Sequence, residues 1–239
     1  MSSLVFSAPW RRWLSVMLAL ISAIALSSCS PAQHKTQAAQ IPQLVVATLS
    51  DPKTFNYALS SESPNVFGYI YEGLVAENGL TGAIEPALAQ QWEISPDKRQ
   101  IVFTLQEGLK WSDGEPLTAD DVVFTYRDIY LNRRIPTLYR DFLRIGNTET
   151  FPSVQKLDEL RVEFTFVEPF APFLRYAEKL AILPAHALRS SVLSNDANGN
   201  PQFLSMWGTN TDPQKIICNG PYQIESYTPS RANASKYST

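Results

Sequence analysis

Cysteine and histidine are scarce in this chain of 239 residues, with only two of each. The four positions (Cys29, His34, His186 and Cys218) form no cluster with zinc-ligand spacing, and they leave little material for a Ser-His-Asp triad. Basic residues are not in excess either, because the net charge is −3 and the isoelectric point is near 5.5. Proteins that bind nucleic acid usually carry a basic face. The composition therefore argues against metal catalysis, a triad hydrolase and a nucleic-acid partner, and we expect no cofactor.

The chain also lacks an apolar run long enough to cross a membrane comfortably. Arg11 and Arg12 precede the uncharged run 13–26, whereas a spanning helix needs about 20 residues. This order is typical of a secretion signal, and the arginine pair matches a twin-arginine signal only loosely. The sequence Leu-Ser-Ser-Cys29 resembles a bacterial lipobox, which implies a lipid on Cys29; an uncleaved signal anchor is the alternative. With Cys29 lipidated, Cys218 is either a buried thiol or pairs outside the chain.

Composition divides the chain into four parts. We assign residues 1–28 to a lipoprotein signal peptide and residues 29–42, rich in Ala, Gln, Ser and Pro, to a flexible tether. Residues 43–228 carry the apolar patterns of a folded body. Residues 229–239 are mostly small or polar, so we expect a disordered tail that forms no strand.

The body mixes strand and helix patterns without a regular β-α-β order. Apolar patterns predict strands at 44–49, 92–94, 101–105, 160–167 and 222–224. They predict helices that start near residues 63, 86, 118, 170 and 184. The third helix should run to about Asn132, and Val162, Phe164 and Phe166 should share the buried face of their strand. The mixture indicates an α/β fold of the mixed, α+β kind.

The segment Lys110–Tyr126 combines a turn with a helix start. Asp113-Gly114 predicts a tight turn, because glycine accepts a positive φ. Thr118 and Asp121 have the spacing of a capping box, with Asp in place of Glu or Gln. Trp111 lies beside this turn, and we interpret it as a core or turn-packing residue rather than a ligand stacker.

Seven short segments of the body recur in the order that one protein family shows. They are Tyr71–Val75, Pro86–Ala89, Ser95–Asp97, Gly108–Gly114, Thr118–Val122, Ile182–His186 and Asn219–Tyr222. Together they resemble the bacterial extracellular solute-binding proteins of family 5, the peptide- and nickel-binding subunits of ABC importers. The resemblance implies a type II periplasmic binding protein-like fold, of which this chain holds the first lobe with its small subdomain only. Gln106 and the pair Cys218-Asn219 depart from the family pattern, and the family's continuation beyond Tyr227 is missing, so we expect a truncated form.

The resemblance also implies a function. It predicts a lipid-anchored substrate-binding component of an ABC importer, exported to the periplasmic or cell-surface side, which binds peptides or similar small solutes and docks on permease subunits. The candidate ligand contacts are Asn56 and Tyr57 after the first strand, and Asn219, Gly220 and Tyr222 at the later corner. Gly220 would permit close backbone approach. The alternatives are surface-loop chemistry for the first pair and a plain structural turn for the corner.

Two other functions stay open at this stage. The chain could be a fragment or frameshifted gene product without a binding role. A secreted enzyme is the third hypothesis, but His186 is the only imidazole that the body offers as a base. The sequence does not identify the ligand. In the family, the residues that pair with peptide termini belong mostly to the second lobe, so the resemblance assigns none of them to this chain.

Overall fold

A computed structural model describes residues 51–61, 66–146 and 150–228, and the backbone of 231–236. The signal peptide, Cys29, the tether, the strand at 44–49 and the helix start near residue 63 therefore lie outside the described residues. Within the described ranges, no helix is long and apolar enough to cross a membrane.

The strands and helices are short. The strands are β1 Val75–Glu77, β2 Ile84–Pro86, β3 Ala89–Ile94, β4 Gln100–Leu105, β5 Ser153–Lys156, β6 Arg161–Thr165, β7 Tyr222–Thr228 and β8 Arg231–Lys236. The α-helices are α1 Phe67–Ile70, α2 Ala119–Val123, α3 Phe173–Lys179 and α4 Ala185–Leu193. A π-helical segment, Phe124–Tyr130, continues α2, and 3-10 turns lie at Tyr57–Leu59, Leu138–Leu143, Gln202–Ser205 and Pro213–Lys215.

The largest sheet among these elements is antiparallel with the order β3-β4-β6-β5. Trp92 of β3 lies opposite Phe103 of β4, and Phe103 lies opposite Val162 of β6. Val162, Phe164 and Phe166 are buried, as the period-2 pattern predicts. The predicted strands at 92–94, 101–105 and 160–167 are therefore confirmed, and so is the mixed α/β fold class.

The predicted helix at 86–92 is wrong. The segment is extended and belongs to β2 and β3. Its backbone finds partners far along the chain: Ala89 N–H donates to Leu74 O at 2.8 Å, and Gln106 N–H donates to Leu88 O at 2.9 Å. These pairings satisfy the backbone groups of the segment, so tertiary contacts override its local helical pattern.

The predicted turn and helix cap are both present. Gly114 has a φ of +90°, which only glycine adopts without strain. Thr118 Oγ1 accepts a hydrogen bond from Asp120 N–H, and Asp121 Oδ2 accepts one from Thr118 N–H at 2.9 Å. Trp111 is fully buried, as expected of a core residue. The capping box thus fixes where α2 begins.

Helix α2 does not continue as an α-helix to Asn132. It widens into the π-helical segment at Phe124. Thr125 Oγ1 donates to the carbonyl of Asp121 at 2.7 Å and accepts from Leu183 N–H at 2.9 Å. The hydroxyl competes for a carbonyl of the regular ladder, which is a known cause of local helix distortion.

Aromatic rings form the core between the large sheet and the helical elements. Phe164 of β6 contacts Tyr126 at 4.7 Å and Phe173 of α3 at 4.8 Å between ring centroids. Phe103 of β4 meets Phe164 edge-on at 5.8 Å. All four rings are fully buried. Such edge-to-face pairs add to the free energy of burial and hold the sheet against the π-helical segment and α3.

The expectation of a disordered tail is wrong for residues 231–236. These residues form β8, which pairs antiparallel with β7 from Thr228↔Arg231 to Tyr222↔Lys236. A hairpin is built from backbone hydrogen bonds, which small and polar residues make as well as apolar ones. The backbone of β7 therefore gives this segment a structure that its side-chain composition does not predict.

Candidate ligand-binding site

Asn56 is buried and bonded within the protein. Its side-chain Nδ2 donates to the carbonyl of Phe203 at 3.1 Å, and its backbone N–H donates to Thr54 Oγ1 at 3.0 Å. The side chain is 1% exposed. Asn56 therefore joins the 3-10 turn at residues 202–205 to the segment before Tyr57, and its amide is not presented to a ligand.

Trp207 holds the same segment from the other side. Its carbonyl accepts hydrogen bonds from Phe55 N–H at 2.8 Å and from Thr54 Oγ1 at 3.2 Å. Trp207 has a φ of +55°, a conformation that costs a bulky residue on the order of 1–3 kcal/mol. The surrounding contacts thus impose a strained backbone that fixes the position of Phe55 and Asn56.

Tyr57 is buried in an aromatic cluster. Its ring stacks on Tyr139 at 4.6 Å with an interplanar angle of 7°, and meets Tyr71 at 5.9 Å. Its hydroxyl donates to the carbonyl of Lys179 at 2.5 Å. Burial raises the pKa of Tyr57 far above its ordinary value, so the hydroxyl stays protonated. Tyr139 is only half-buried, so this ring brings the cluster to the surface.

The corner Asn219–Tyr222 is bonded to the end of α1. Asn219 Oδ1 accepts from Glu72 N–H at 3.0 Å, and Gly220 N–H donates to Ile70 O at 2.9 Å. A Cβ on Gly220 would lie 2.6 Å from the carbonyl carbon of Ile70 and 2.8 Å from Tyr71 N. The close backbone approach that glycine permits is therefore made by the protein's own chain.

Tyr222 is half-buried where β7 begins. Its ring meets Tyr69 edge-on at 6.1 Å. Its carbonyl accepts a weak hydrogen bond from the thiol of Cys218 at 3.4 Å. Cys218 is a buried free thiol, one of the two outcomes that the sequence left open, and its N–H donates to Ser112 Oγ at 3.1 Å. The corner is thus tied both to α1 and to the turn after Trp111.

The structure brings the two predicted segments to the same helix. Tyr57 contacts Phe67 and Tyr71, and Gly220 bonds to Ile70. Helix α1 and the residue after it therefore join the two. The buried members of this group position the others, while the half-buried Tyr222 is one of the side chains that a ligand could reach.

Glu72 belongs to this face although sequence reasoning did not single it out. Its backbone is bonded to Asn219, and the residue is half-buried. Burial raises the pKa of its carboxyl group. Among the described residues, no hydrogen bond or ion pair engages this carboxylate. The indication in the sequence was an acidic residue within the motif Tyr71–Val75.

The ionisable residues elsewhere act in structural pairs. His186 Nε2 lies 2.8 Å from Asp113 Oδ2, which joins the start of α4 to the turn at Gly114. Helix α4 begins at Ala185, with Pro184 at the N-cap rather than at the first helical position. Within the described ranges, no three His, Cys, Asp or Glu side chains are grouped to hold a metal ion.

The comparison with protein families identifies the class to which this fold belongs. The profile of the family described as "Bacterial extracellular solute-binding proteins, family 5 Middle" matches residues 83–237. The match covers more than half of the chain, and the chain belongs to this family. The family consists of binding proteins for transport, not enzymes. The match also extends through β8.

Individual relatives agree with this assignment. The dipeptide-binding protein of Escherichia coli K12 is 29% identical over 227 residues, which are 87% of this chain and 38% of that protein. The crystal structure of the ABC transporter substrate-binding protein CtaP of Listeria monocytogenes is 26% identical with a TM-score of 0.62, over 79% of this chain and 35% of that one. A second structure shares the fold at 24% identity: the periplasmic binding protein MelB of Agrobacterium fabrum in complex with stachyose, with a TM-score of 0.66 over 79% of this chain and 29% of that one. This chain spans only 29–38% of the length of these three proteins.

Proposed function

We propose that this chain provides one wall of the ligand site in the substrate-binding component of an ABC importer, and that the ligand is a peptide or a similar small solute. The observation that carries the proposal is the joining of two distant segments, at Tyr57 and at Asn219–Tyr222, by helix α1 and Tyr71. Family membership supports it, and so does the dipeptide-binding relative that covers 87% of this chain.

The chemistry of this wall suits capture rather than catalysis. Half-buried aromatic rings, Tyr139, Tyr222 and Tyr69, offer flat apolar surface. Glu72 adds a carboxyl group without a hydrogen-bond or ion-pair partner among the described residues, and its ionised form is complementary to the ammonium group of a peptide. Ligand sites commonly combine much apolar wall with few polar groups. Asn56 and Gly220 act indirectly, because they hold these side chains in place.

The same proposal covers location and partners. Cys29 carries a lipid, the chain is exported to the periplasmic or cell-surface side, and the loaded protein docks on permease subunits. The resemblance of Leu-Ser-Ser-Cys29 to a lipobox supports the anchor. Incorporation of labelled palmitate should occur in the wild type and be lost in Cys29→Ser. Equal labelling of both would contradict the anchor without affecting the ligand site.

Ligand capture is tested by nuclear magnetic resonance on the full chain with the dipeptide Ala-Phe. The expected chemical-shift changes include Tyr139, the end of α1 and the corner at residues 219–222. Affinity should be weak, and Glu72→Gln should lower it about tenfold, since hydrogen bonds to charged groups contribute about 1.5–3 kcal/mol.

The matched control is Glu77→Gln. Glu77 carries the same carboxylate but pairs with Arg175 at 2.6 Å, so its loss should not change peptide affinity. N-acetylated Ala-Phe should bind the wild type no better than free Ala-Phe binds Glu72→Gln. Shift changes only elsewhere in the protein, or none at millimolar peptide, would rule out this site.

A further inference from the structure

A pocket lies at one end of the four-stranded sheet. Its volume is about 450 Å³, within the range of small-molecule sites. The lining includes Asp97, Arg99, Phe151, Ser153, Thr165 and Val167. These residues come from the β3–β4 turn, the start of β5 and the end of β6. None of them belongs to α1 or to the corner at residues 219–222, so this pocket is separate from the proposed ligand wall.

The β3–β4 turn fixes the two charged residues of the pocket. Ser95 N–H donates to Gln100 O at 3.0 Å, which closes the turn. Asp97 Oδ1 accepts hydrogen bonds from Ser95 Oγ at 2.6 Å and from Arg99 N–H at 3.2 Å. Arg99 O accepts from Phe166 N–H at 2.8 Å, which ties the turn to the end of β6. The backbone that carries both charges is therefore held from two directions.

Several polar groups of this pocket keep unused hydrogen-bonding capacity among the described residues. The guanidinium of Arg99 makes no hydrogen bond or ion pair there, and the second carboxylate oxygen of Asp97 is likewise unengaged. The hydroxyls of Ser153 and Thr165 also bond to none of the described side chains or backbone groups. Five other surface arginines, in contrast, each form an ion pair with a carboxylate: Arg127, Arg144, Arg161, Arg175 and Arg189.

The Asp97 carboxylate stays charged at neutral pH, and apolar surface lies beside it. The hydrogen bond from the Ser95 hydroxyl and, to a smaller extent, that from the Arg99 N–H lower the pKa of Asp97, which keeps its carboxylate ionised. Val167 is 58% exposed and Phe151 is half-buried in the same pocket. A simple anion would satisfy Arg99 alone, and a simple cation Asp97 alone. A molecule with both charges and an apolar group matches every part of the lining.

We propose that this pocket binds a small zwitterion with an apolar side chain, of the class of the free amino acids. The ligand carboxylate pairs with Arg99, its ammonium group pairs with Asp97, and its side chain lies against Phe151 and Val167. Guanidinium–carboxylate pairs are among the strongest charge-assisted contacts. The pocket is open to solvent, so we expect dissociation constants in the millimolar range.

Saturation-transfer magnetic resonance on the full chain with L-leucine tests the proposal. The strongest transfer should reach the leucine methyl groups, which face Phe151 and Val167. Arg99→Gln and Asp97→Asn should each weaken binding about tenfold, since each removes one charge-assisted contact. Asp97→Asn keeps the side-chain oxygen that the turn uses, so the fold should persist.

Two controls separate the proposal from its rivals. Arg161→Gln removes a surface guanidinium that pairs with Asp158 on the same sheet, and it should leave leucine binding unchanged. Glu77→Gln removes a carboxylate that pairs with Arg175 outside the pocket, and it should also leave leucine binding unchanged. The proposal is overturned if leucine gives no transfer, if acetate binds as well as leucine, or if Tyr222→Ala abolishes the signal while Arg99→Gln does not.

Discussion

The carboxylate of Asp121 accepts a hydrogen bond at 2.8 Å from the N–H of Ala185, which lies 64 residues further along the chain. Its other oxygen accepts from Thr118 N–H, so one side chain caps the starts of both α2 and α4. The first four N–H groups of a helix have no partner within that helix. A single buried carboxylate therefore fixes how these two helices begin together.

The Asp121→Ala variant should be markedly less stable. Removing the carboxylate leaves the N–H groups of Thr118 and Ala185 without their acceptor, and hydrogen bonds to charged groups contribute about 1.5–3 kcal/mol each. We expect a loss of about 3 kcal/mol in the free energy of unfolding, measured by urea denaturation. Asp120→Ala is the matched control: Asp120 is exposed and pairs with Arg189, so its loss should cost less than about 1 kcal/mol. Equal urea midpoints for both variants would refute the double-cap role.

The Gly220→Ala variant should lose about 1–3 kcal/mol of stability. The added Cβ would meet backbone atoms of Ile70 and Tyr71, which cannot rotate away as a side chain can. Gly68→Ala is the control, because nothing lies within 4 Å of a Cβ there and alanine favours the helix. In thermal unfolding, the midpoint temperature of Gly220→Ala should lie below that of the wild type and the midpoint of Gly68→Ala above it. A Gly220→Ala protein as stable as the wild type would show that the corner can move away from α1.

Glu72 should make stability fall as pH rises above the usual glutamate range. Burial raises its folded-state pKa above the ordinary 4.5, so the folded state keeps a proton that the unfolded chain has lost. The stabilising contribution is complete below about pH 4.5 and disappears as pH rises through the raised pKa. Glu72→Gln should therefore flatten this part of the pH profile in urea unfolding from about pH 4 to pH 7. A wild-type slope in Glu72→Gln would contradict the assignment.

Strand β8 should be visible in hydrogen exchange. The amides of Arg231–Lys236 that pair with β7 should exchange more slowly than those of an unstructured peptide of the same sequence. Exchange at the rate of the free peptide would support the disordered tail that the composition predicts.

The sequence predicted those strands whose side chains alternate. In β6, Val162 and Phe164 face the core, and the polar residues between them mark the other face. The helix at 86–92 was predicted wrongly because its apolar spacing also fits a helix, while its true backbone partners lie near Leu74 and Gln106. β8 was missed because backbone pairing leaves no mark in side-chain composition.

The sequence singled out the candidate residues but not the contacts that hold them in place. The sequence singled out Asn219 and Gly220, but their partners lie far earlier in the chain. Glu72, the partner of Asn219, is 147 residues away, and Ile70, the partner of Gly220, is about 150 residues away. Only the folded chain shows that Gly220 makes room for the protein's own backbone. It also shows that Glu72 is half-buried and that no hydrogen bond or ion pair among the described residues engages its carboxylate.

The rate at which Cys218 is alkylated can report ligand binding at the corner without any mutation. Its thiol is 1% exposed, and burial raises its pKa, so little reactive thiolate is present while the corner is closed. Alkylation at Cys218, located by peptide mapping, would then proceed at the pace at which the contacts to Ser112 and Tyr222 open. A solute bound at this corner would slow this alkylation. The alkylation rate of the native protein would therefore measure how much of the site is occupied.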